Sequence, residues 1–508
     1  MRCAGSSARA SPSPSTRCWG RAPERRRGRA YGVSQNVPGF RAGVGRATIT
    51  PPLTVPHAGW GAQTHLYADG IETDLWATAL VVAGGGEMAV IVDLDLVAVS
   101  PEDAQAVRSA VARALRIAPE QVRVQETHNH AGPPPSTWAW MEEGTDALKR
   151  YYGQLPDLAA GAARMALGDL RPARAGAGSG ESRVAVNRRE AAPGGRVVTG
   201  TNPGGVIDPH LLVVRIDARD GSPLAAIIGY TMHPTTMGPT NRRVSADWPG
   251  HLKRTVEGLT GAICLFAQGA TGNVGPGPDG YTDDPRVIRR LGALIGCEAA
   301  RVYFGLQLPP RAYRHERVWE SGAPLGKWTG VPIDEAEPVV RVLTRPLRLP
   351  LRPQPALAEA DAQAEAARRR RQDLVDRRAP AAEVEAATFA AKRAAMTRER
   401  ARSFGGRSEL PVELHLLQIG HAVLAGIPCE PFAEIGLAVK ARSPFRHTWF
   451  GGYTGGWLGY IPVPEEYPRG GYEVETSPFA PEAAGRVVEG TVAALQELHE
   501  MPASPGRR

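Results

Sequence analysis

Cysteine is scarce, with five in 508 residues. Cys3 and Cys18 fall in the first thirty residues, and Cys264, Cys297 and Cys429 are scattered with no CxxC spacing. That argues against a thiolate zinc site or a disulfide framework, and it fits a reducing compartment. Long apolar runs are missing as well. No stretch approaches the ~20 residues of a membrane-spanning helix, so no transmembrane segment is expected. Acidic residues are nearly absent from the N-terminal stretch. Residues 1–30 hold eight arginines against Glu24 alone, a net +7 of the formal +8. Arg507 and Arg508 add +2, which leaves residues 31–506 at −1. A near-neutral body with a basic tail is not the basic face that tracks phosphates, so nucleic acid is excluded as a partner. The first thirty residues also lack the apolar core of a signal peptide. A cytoplasmic location is therefore expected, with 1–36 a disordered basic extension and 501–508 a disordered tail.

What is present is globular: 42% hydrophobic and 22% charged residues, enough for a sizeable core over one domain spanning 37–500. VGRATITPP reads as a strand broken by prolines. DLWATALVVA and EMAVIVDLDL, separated by three glycines, read as a β-hairpin. In SPEDAQAVRSAVARAL, Ser100 suits an N-cap, Pro101 the first helical position and Asp103 the capping-box acid. A short strand from Val122 follows. This β-β-α-β start predicts an α/β fold, a mixed β-sheet flanked by helices. HLLVVRID and SPLAAIIGYTMHP predict a second hairpin whose second strand ends at His233. AICLFAQ is a strand ending in GATGNVGPGP, and 286–303 is helical. VELHLLQIG and HAVLAGIP predict a third hairpin whose second strand ends at Glu430. Residues 356–404, dominated by Ala, Glu, Arg and Lys with Ala379-Pro380 between two runs, predict a helical-hairpin insertion.

Four apolar strands thus end in chemistry-bearing elements: His128 and His130 in THNHAGPPP, His233, the Gly269–Gly277 loop, and Glu430. The crevice beyond the carboxyl ends of strands is where α/β sheets bind ligands. Imidazole and carboxylate are zinc's usual ligands outside thiolate sites. Taken singly, each has a plainer explanation. His233 fits a hydrogen-bonded structural histidine, and Glu430 fits a carboxylate at the start of the helix that PFAEIGLAVKAR predicts. The glycine-rich loop lacks the Lys-Ser/Thr of a phosphate loop.

The motifs together resemble the catalytic domain of the neutral/alkaline (non-lysosomal) ceramidase family. VGRATITPP is similar to its N-terminal strand and THNHAGPPP to its THTHSGPGG. The Asn187-Arg188-Arg189 segment matches its NRS, TMHPTTMG its FAxHPTSMG, SADWPGH its SGDNKGY, IPCEPF its LPGEPF, and YIPVPEEYPRGGYE its late tyrosine motif. The resemblance implies one Zn2+ held by His128, His233, Glu430 and Tyr460, with His130 and Tyr472 lining the same pocket as catalytic groups. The implied reaction is hydrolysis of an amide bond, with a zinc-activated water attacking the carbonyl of an N-acyl sphingoid or another small-molecule, lipid-like N-acyl amide. Two positions depart from the family. Gly275 stands where its GDVSPN segment carries a serine with a catalytic role, and Asn273 replaces the aspartate. A glycine in this loop is expected to hold φ > 0, which would make serine fit poorly. Two alternatives stay open: an inactive metal- or lipid-binding relic of the family, favoured by Gly275, and a metallophosphoesterase, which would need more strand-end aspartates than Asp93 and Asp95.

Overall fold

Gly85 and Gly86 hold φ of 65° and 85°, the conformation that a two-residue hairpin turn demands at both positions. They join the first predicted hairpin. In the computed structural model, which describes residues 39–502 apart from 58, 136, 139, 140, 142, 334 and 335, β1 (Arg41–Thr48) and the short β2 (Gly70–Ile71) precede that hairpin of β3 (Trp76–Gly84) and β4 (Glu87–Leu94). Next come α1 (Pro101–Leu115) and β5 (Val122–Glu126). Ser100 Oγ accepts the Asp103 N–H at 3.0 Å and Pro101 opens the helix, as the capping pattern predicts. Asp103 answers through Oδ2 to the Ser100 hydroxyl, 2.9 Å, rather than to its backbone N–H.

Then follow α2 (Thr145–Gly168), β6 (Arg171–Glu181), β7 (Val186–Ala191), β8 (Val197–Asn202) and the hairpin β9 (His210–Ala218)–β10 (Pro223–Tyr230). After these come β11 (Arg243–Val244), α3 (Asp247–Thr260), β12 (Ile263–Gln268), β13 (Val274–Gly275) and α4 (Pro285–Gly305). An exposed two-stranded ribbon, β14 (Arg311–Trp319) and β15 (Leu325–Pro332), stands apart from the larger sheets. The last third contains β16 (Val340–Pro350), the helical hairpin α5 (Leu357–Asp376) and α6 (Ala381–Phe404), β17 (Glu409–Ile419), β18 (Ala422–Gly426), β19 (Glu430–Pro431) and α7 (Ala433–Ala441). It ends with β20 (His447–Gly451), β21 (Tyr460–Ile461), α8 (Tyr472–Thr476) and α9 (Ala483–Glu500).

Eight strands form a mixed sheet in the order β12-β10-β9-β6-β1-β3-β4-β5. A second sheet, β16-β17-β18-β20, packs on one face of it through Leu80, Val82, Ile91, Val214 and Ile227 against Leu417, Ile419, Leu424 and Trp449. Helices α1 and α2 bury Val107, Val111, Leu155 and Ala162 against β3 and β5. Helices α3 and α4 cover β10 and β12, and α7 and α9 cover the second sheet. The result is a four-layer helix–sheet–sheet–helix stack. The mixed α/β sheet and the helical hairpin stand as predicted. The hairpin has little apolar surface to offer; its buried seam is alanine, at Ala360, Ala364, Ala387 and Ala401, with Leu374.

The eight-stranded sheet curls until its two ends meet. Among the described residues no ladder closes it. Instead Asp93 Oδ2 of β4 accepts the Phe266 N–H of β12 at 3.0 Å, and Gln125 Nε2 of β5 donates to the Phe266 carbonyl at 2.8 Å.

Two strand ends differ from the sequence expectation. β10 stops at Tyr230, three residues short of His233, because His233 N–H leaves the ladder for the Val274 carbonyl (3.0 Å). β18 stops at Gly426, with Pro428 unable to donate to a ladder. Glu430 lies in β19, paired in parallel with β21 so that it sits opposite Tyr460. The expected extension over 1–36, and 503–508 of the expected tail, lie outside the described residues.

Candidate metal centre

β5 runs parallel to β4, so both chains leave the sheet at the same end. Beyond it their loops are stitched together: Thr127 N–H to Leu94 O (2.9 Å), His128 N–H to Leu96 O (2.9 Å) and Asn129 Nδ2 to Asp95 O (2.8 Å). This holds His128 at φ 66°. A non-glycine residue reaches that region at a cost of order 1–3 kcal/mol, and such strain persists only where the surroundings enforce it. The turn aims the imidazole inward, where it is 1% exposed.

Three imidazoles converge. Each has its Nδ1 against a backbone carbonyl: His128 on Val97 O (2.5 Å), His130 on Gly59 O (2.8 Å) and His233 on Thr271 O (3.1 Å). A carbonyl can only accept, so Nδ1 carries the proton and each Nε2 presents a lone pair. Those lone pairs face one another. His128 Nε2 is 3.0 Å from His233 Nε2 and 3.2 Å from His130 Nε2. Burial, reinforced by neighbouring imidazoles and Arg188, pushes His128 and His233 well below the ordinary histidine range. Burial takes His130 to about 4, against its Gly59 hydrogen bond. Neutral imidazoles with unshared pairs turned on each other repel unless a cation lies among them.

A buried carboxylate, Glu430, lies beside them. Its Oε2 is 3.5 Å from His128 Nε2 and 3.7 Å from His233 Nε2. For ligand bonds of ~2.1 Å, the edge of a tetrahedron is roughly 3.4 Å, so these donor spacings fit a zinc-sized ion. The rest of the carboxylate is held by Tyr453 OH (3.1 Å to Oε2) and Trp457 Nε1 (2.5 Å to Oε1). Burial raises the Glu430 pKa to about 7, with Arg188 and these hydrogen bonds opposing it. Tyr460 turns its hydroxyl toward the same carboxylate and accepts Arg188 Nη2 at 3.1 Å. Tyr472 stands edge-on to Tyr460, ring centroids 5.8 Å apart. The six site residues expected from sequence therefore lie together. His130 is closer to the ligand cluster than a purely substrate-facing role requires, and with His128 and His233 it offers ligand atoms all within 4.8 Å of one another.

Residues 40–280 match the profile of the family described as neutral/alkaline non-lysosomal ceramidase, N-terminal. The chain is similar to neutral ceramidase of Pseudomonas aeruginosa, 28% identical over 254 residues, which is 47% of this chain, and it spans 37% of that relative's length. Its fold resembles the crystal structure of the P. aeruginosa enzyme, with a TM-score of 0.63 at 21% identity over 92% of this chain and 75% of the other. A structure described as ceramidase complexed with C2 matches at TM-score 0.61 and 20% identity, over 92% of this chain and 77% of the other.

Several parts of the centre had no motif to announce them. Tyr453 stacks on His128 with centroids 4.0 Å apart, and its hydroxyl links Glu430 to Thr271 Oγ1 (2.7 Å). It sits at φ 54° in the glycine-rich run after β20, and that run of GGYTGGW was the available signal. Arg188 and Arg189 converge on Glu473, which is 1% exposed. Arg188 Nε lies 2.9 Å from Glu473 Oε1 but off the hydrogen-bond direction, so that contact is ionic. Arg189 Nη1 donates to Glu473 Oε2 at 2.8 Å and its Nε to Glu466 Oε2 at 2.7 Å. This pins the late tyrosine motif to the Asn187–Arg189 segment.

The expectation of a positive φ at Gly275 is overturned. Gly275 is an extended residue of β13 paired with Val186, and a Cβ there would meet nothing closer than Arg188 side-chain carbons at 3.7 Å. The loop's left-handed glycine is Gly277, φ 63°. Asn273 braces the loop against α7. Its Oδ1 accepts the Ala433 N–H at the start of that helix (2.8 Å), and its Nδ2 donates to Glu434 (2.9 Å). Glu430 does not cap that helix. Asp93 and Asp95 are buried against Lys253 Nζ, at 3.2 and 2.6 Å, away from the histidines, which removes the aspartates that a metallophosphoesterase would need.

The centre lies at the floor of a cavity of about 920 Å³, walled by Trp138, Trp457, Tyr460 and Tyr472 on one side and by the C-terminal half of α6 on another. No helix among the described residues is long and apolar enough to cross a membrane.

Proposed function

We propose that this protein is a zinc-dependent hydrolase of the amide bond of an N-acyl, lipid-like substrate. The observation that carries this is the convergence of three neutral imidazole lone pairs and one buried carboxylate at the floor of a large, aromatic-walled cavity. His128, His233 and Glu430, with Tyr460 or His130, would hold the ion. A bound Zn2+ supplies Lewis-acid polarisation of a carbonyl and a lowered pKa for water, to about 7.

The chain's own residues do the rest. The cavity buries an acyl chain against Trp138 and Trp457 and excludes water from the carbonyl. Arg188 donates to the Tyr460 oxygen and the phenol's own proton is directed at Glu430, so Arg188 and Glu430 together fix Tyr460 beside the site. Tyr472 offers a donor on the same wall. In the reaction one C–O bond forms from water and the C–N bond breaks, giving a carboxylate and an amine. The proton taken from water must reach the leaving nitrogen. His130, fixed through Nδ1 by Gly59 and packed under Trp60 at 5.0 Å, is placed to carry it if the other three donors hold the metal. Gly275 leaves no hydroxyl at the family's serine position, so the nucleophile is water rather than that serine. The same glycine favours the second reading, a relic that binds but does not turn over.

The test is metal analysis together with hydrolysis of a panel of N-acyl amides by the zinc-loaded protein. About one zinc per chain and release of free fatty acid are expected. Stoichiometric zinc without turnover of any amide establishes the relic instead, and no bound zinc at all refutes the metal centre.

A further inference from the structure

Helix α6 forms one wall of the cavity, and Met396, Glu399, Arg400, Ser403 and Phe404 face it. The ionic pairing along this wall is uneven. Arg402 lies 3.8 Å from Glu399, and Arg108, also lining the cavity, pairs with Glu413 at 2.7 Å. Glu430 is turned to the histidines. Arg400 has no carboxylate partner among the described residues, and its hydrogen bond is to Thr397 Oγ1 of its own helix, 3.2 Å. The charged neighbour acting on it is Arg352, a second guanidinium. Arg352 is itself tied to a carbonyl, Val474 O at 2.7 Å, and lies over the ring of Tyr467 at 5.9 Å, not against an acid.

Arg400 thus lines the cavity half-buried, a second guanidinium acts on it, and no carboxylate among the described residues pairs with either. Burial and Arg352 both push Arg400 below its ordinary pKa, and a bound anion would relieve both effects. A guanidinium suits planar or tetrahedral oxyanions because its N–H groups present a fixed fork. The position is also informative. Arg400 acts on Tyr472, Tyr472 stands edge-on to Tyr460, and Tyr460 reaches Glu430. Arg400, Tyr472, Tyr460 and Glu430 therefore all open onto the same cavity.

We infer that Arg400 receives a carboxylate or phosphate carried by the amide, so that the preferred substrate is an anionic N-acyl amide rather than a neutral one. This rests on the amide-hydrolase reading, and the tests separate the two.

Zinc-loaded protein is given three probes of one chain length: N-dodecanoylglycine, N-dodecanoylethanolamine and the phosphate ester of N-dodecanoylethanolamine. A charge-assisted hydrogen bond to a guanidinium predicts a preference of roughly tenfold or more in kcat/KM for an anionic probe over the neutral one. The carboxylate and phosphate arms show which oxyanion fits. Arg400→Met should collapse that ratio toward 1, mainly through KM, and Arg400→Glu should reverse it. Equal or better hydrolysis of the neutral amide by wild type overturns the proposal, as does an Arg400→Met variant that slows all three probes alike. Should no amide be hydrolysed, the hydrolase reading fails on its own. Calorimetric binding of the same probes to wild type and Arg400→Met then decides the anion site: tighter anion binding lost in the variant supports it, and equal binding of charged and neutral probes refutes it.

Discussion

Glu473→Gln is the perturbation that most directly tests how the centre is held. Glu473 is 1% exposed and faces two buried guanidiniums, Arg188 at 2.9 Å and Arg189 at 2.8 Å. Arg189 keeps Glu466 at 2.7 Å and the Gly470 carbonyl when the charge goes. Arg188 keeps only the neutral Tyr460 hydroxyl as a side-chain hydrogen-bond partner. Breaking a buried ion pair from one side costs ~3–5 kcal/mol, because it strands the opposite charge. Glutamine preserves shape and can still accept one N–H, so the low end, about 3 kcal/mol, is expected. With an unfolding entropy of ~2.1 cal/mol/K per residue, a chain of this length loses roughly 1 kcal/mol per kelvin, so the melting temperature should fall by about 3 °C. Calorimetry in the presence of chelator keeps metal loss out of the result. The double variant Arg188→Met/Glu473→Gln should be less destabilised than the sum of the two single variants, since it removes the stranded charge. A single variant that melts within half a degree of wild type, or strictly additive effects, would refute the idea of a buried, mutually dependent pair.

Three further outcomes are expected. His128→Ala and His233→Ala should each lose most of the bound zinc, measured by metal analysis after dialysis, because three remaining donors bind far more weakly than four; full retention in both would place the ion elsewhere. Gly275→Ser should fold with a melting temperature within about 1 °C of wild type, since the backbone is extended and the nearest side-chain carbons are 3.7 Å from the new Cβ; a large drop would show that the loop cannot take a side chain. Glu72 is buried, which alone would raise its pKa, yet hydrogen bonds and charge from His251, together with Arg289 and Ser245, hold it at about 2. Its contribution should therefore be complete above about pH 4.5 and lost as the pH falls toward 2, so the melting temperatures of wild type and Glu72→Gln should differ at pH 7 and converge near pH 2.

Local rules carried much of the architecture. The Ser100-Pro101 cap, the glycine turn between β3 and β4, and the Ala-Pro break between α5 and α6 each rest on a few adjacent residues, and each appears where the sequence places it. The end of β10 was harder, because what stops it is a bond to a distant segment, His233 to Val274; β18 stops before Pro428, and the new pairing of Glu430 with the segment at Gly459 was the part not visible locally. His128, His130, His233 and Glu430 were legible as polar residues at strand ends, and the family motifs added Tyr460 and Tyr472. Tyr453 was not legible. Its partners Thr271 and His128 lie far away in sequence, and nothing in its own neighbourhood except glycine marks its unusual backbone. The φ of Gly275 was misjudged for a related reason. Neighbouring glycines looked equivalent in sequence, but pairing with β7 makes Gly275 extended and leaves the left-handed turn to Gly277.

The side-chain closure of the large sheet bears on how its end strands are covered. A strand at the end of an open sheet is a template for a foreign strand. Here β12 is sealed through Phe266 by Asp93 and Gln125, and the far side of β5 is covered by the segment at Tyr453–Gly455, with Glu126 N–H on Tyr453 O at 3.0 Å and Gly455 N–H on Val124 O at 2.9 Å. The same loop that carries Tyr453 to the histidines therefore also guards the sheet's exit. Loss of order in that loop would uncover the edge of β5 and the histidine cluster together.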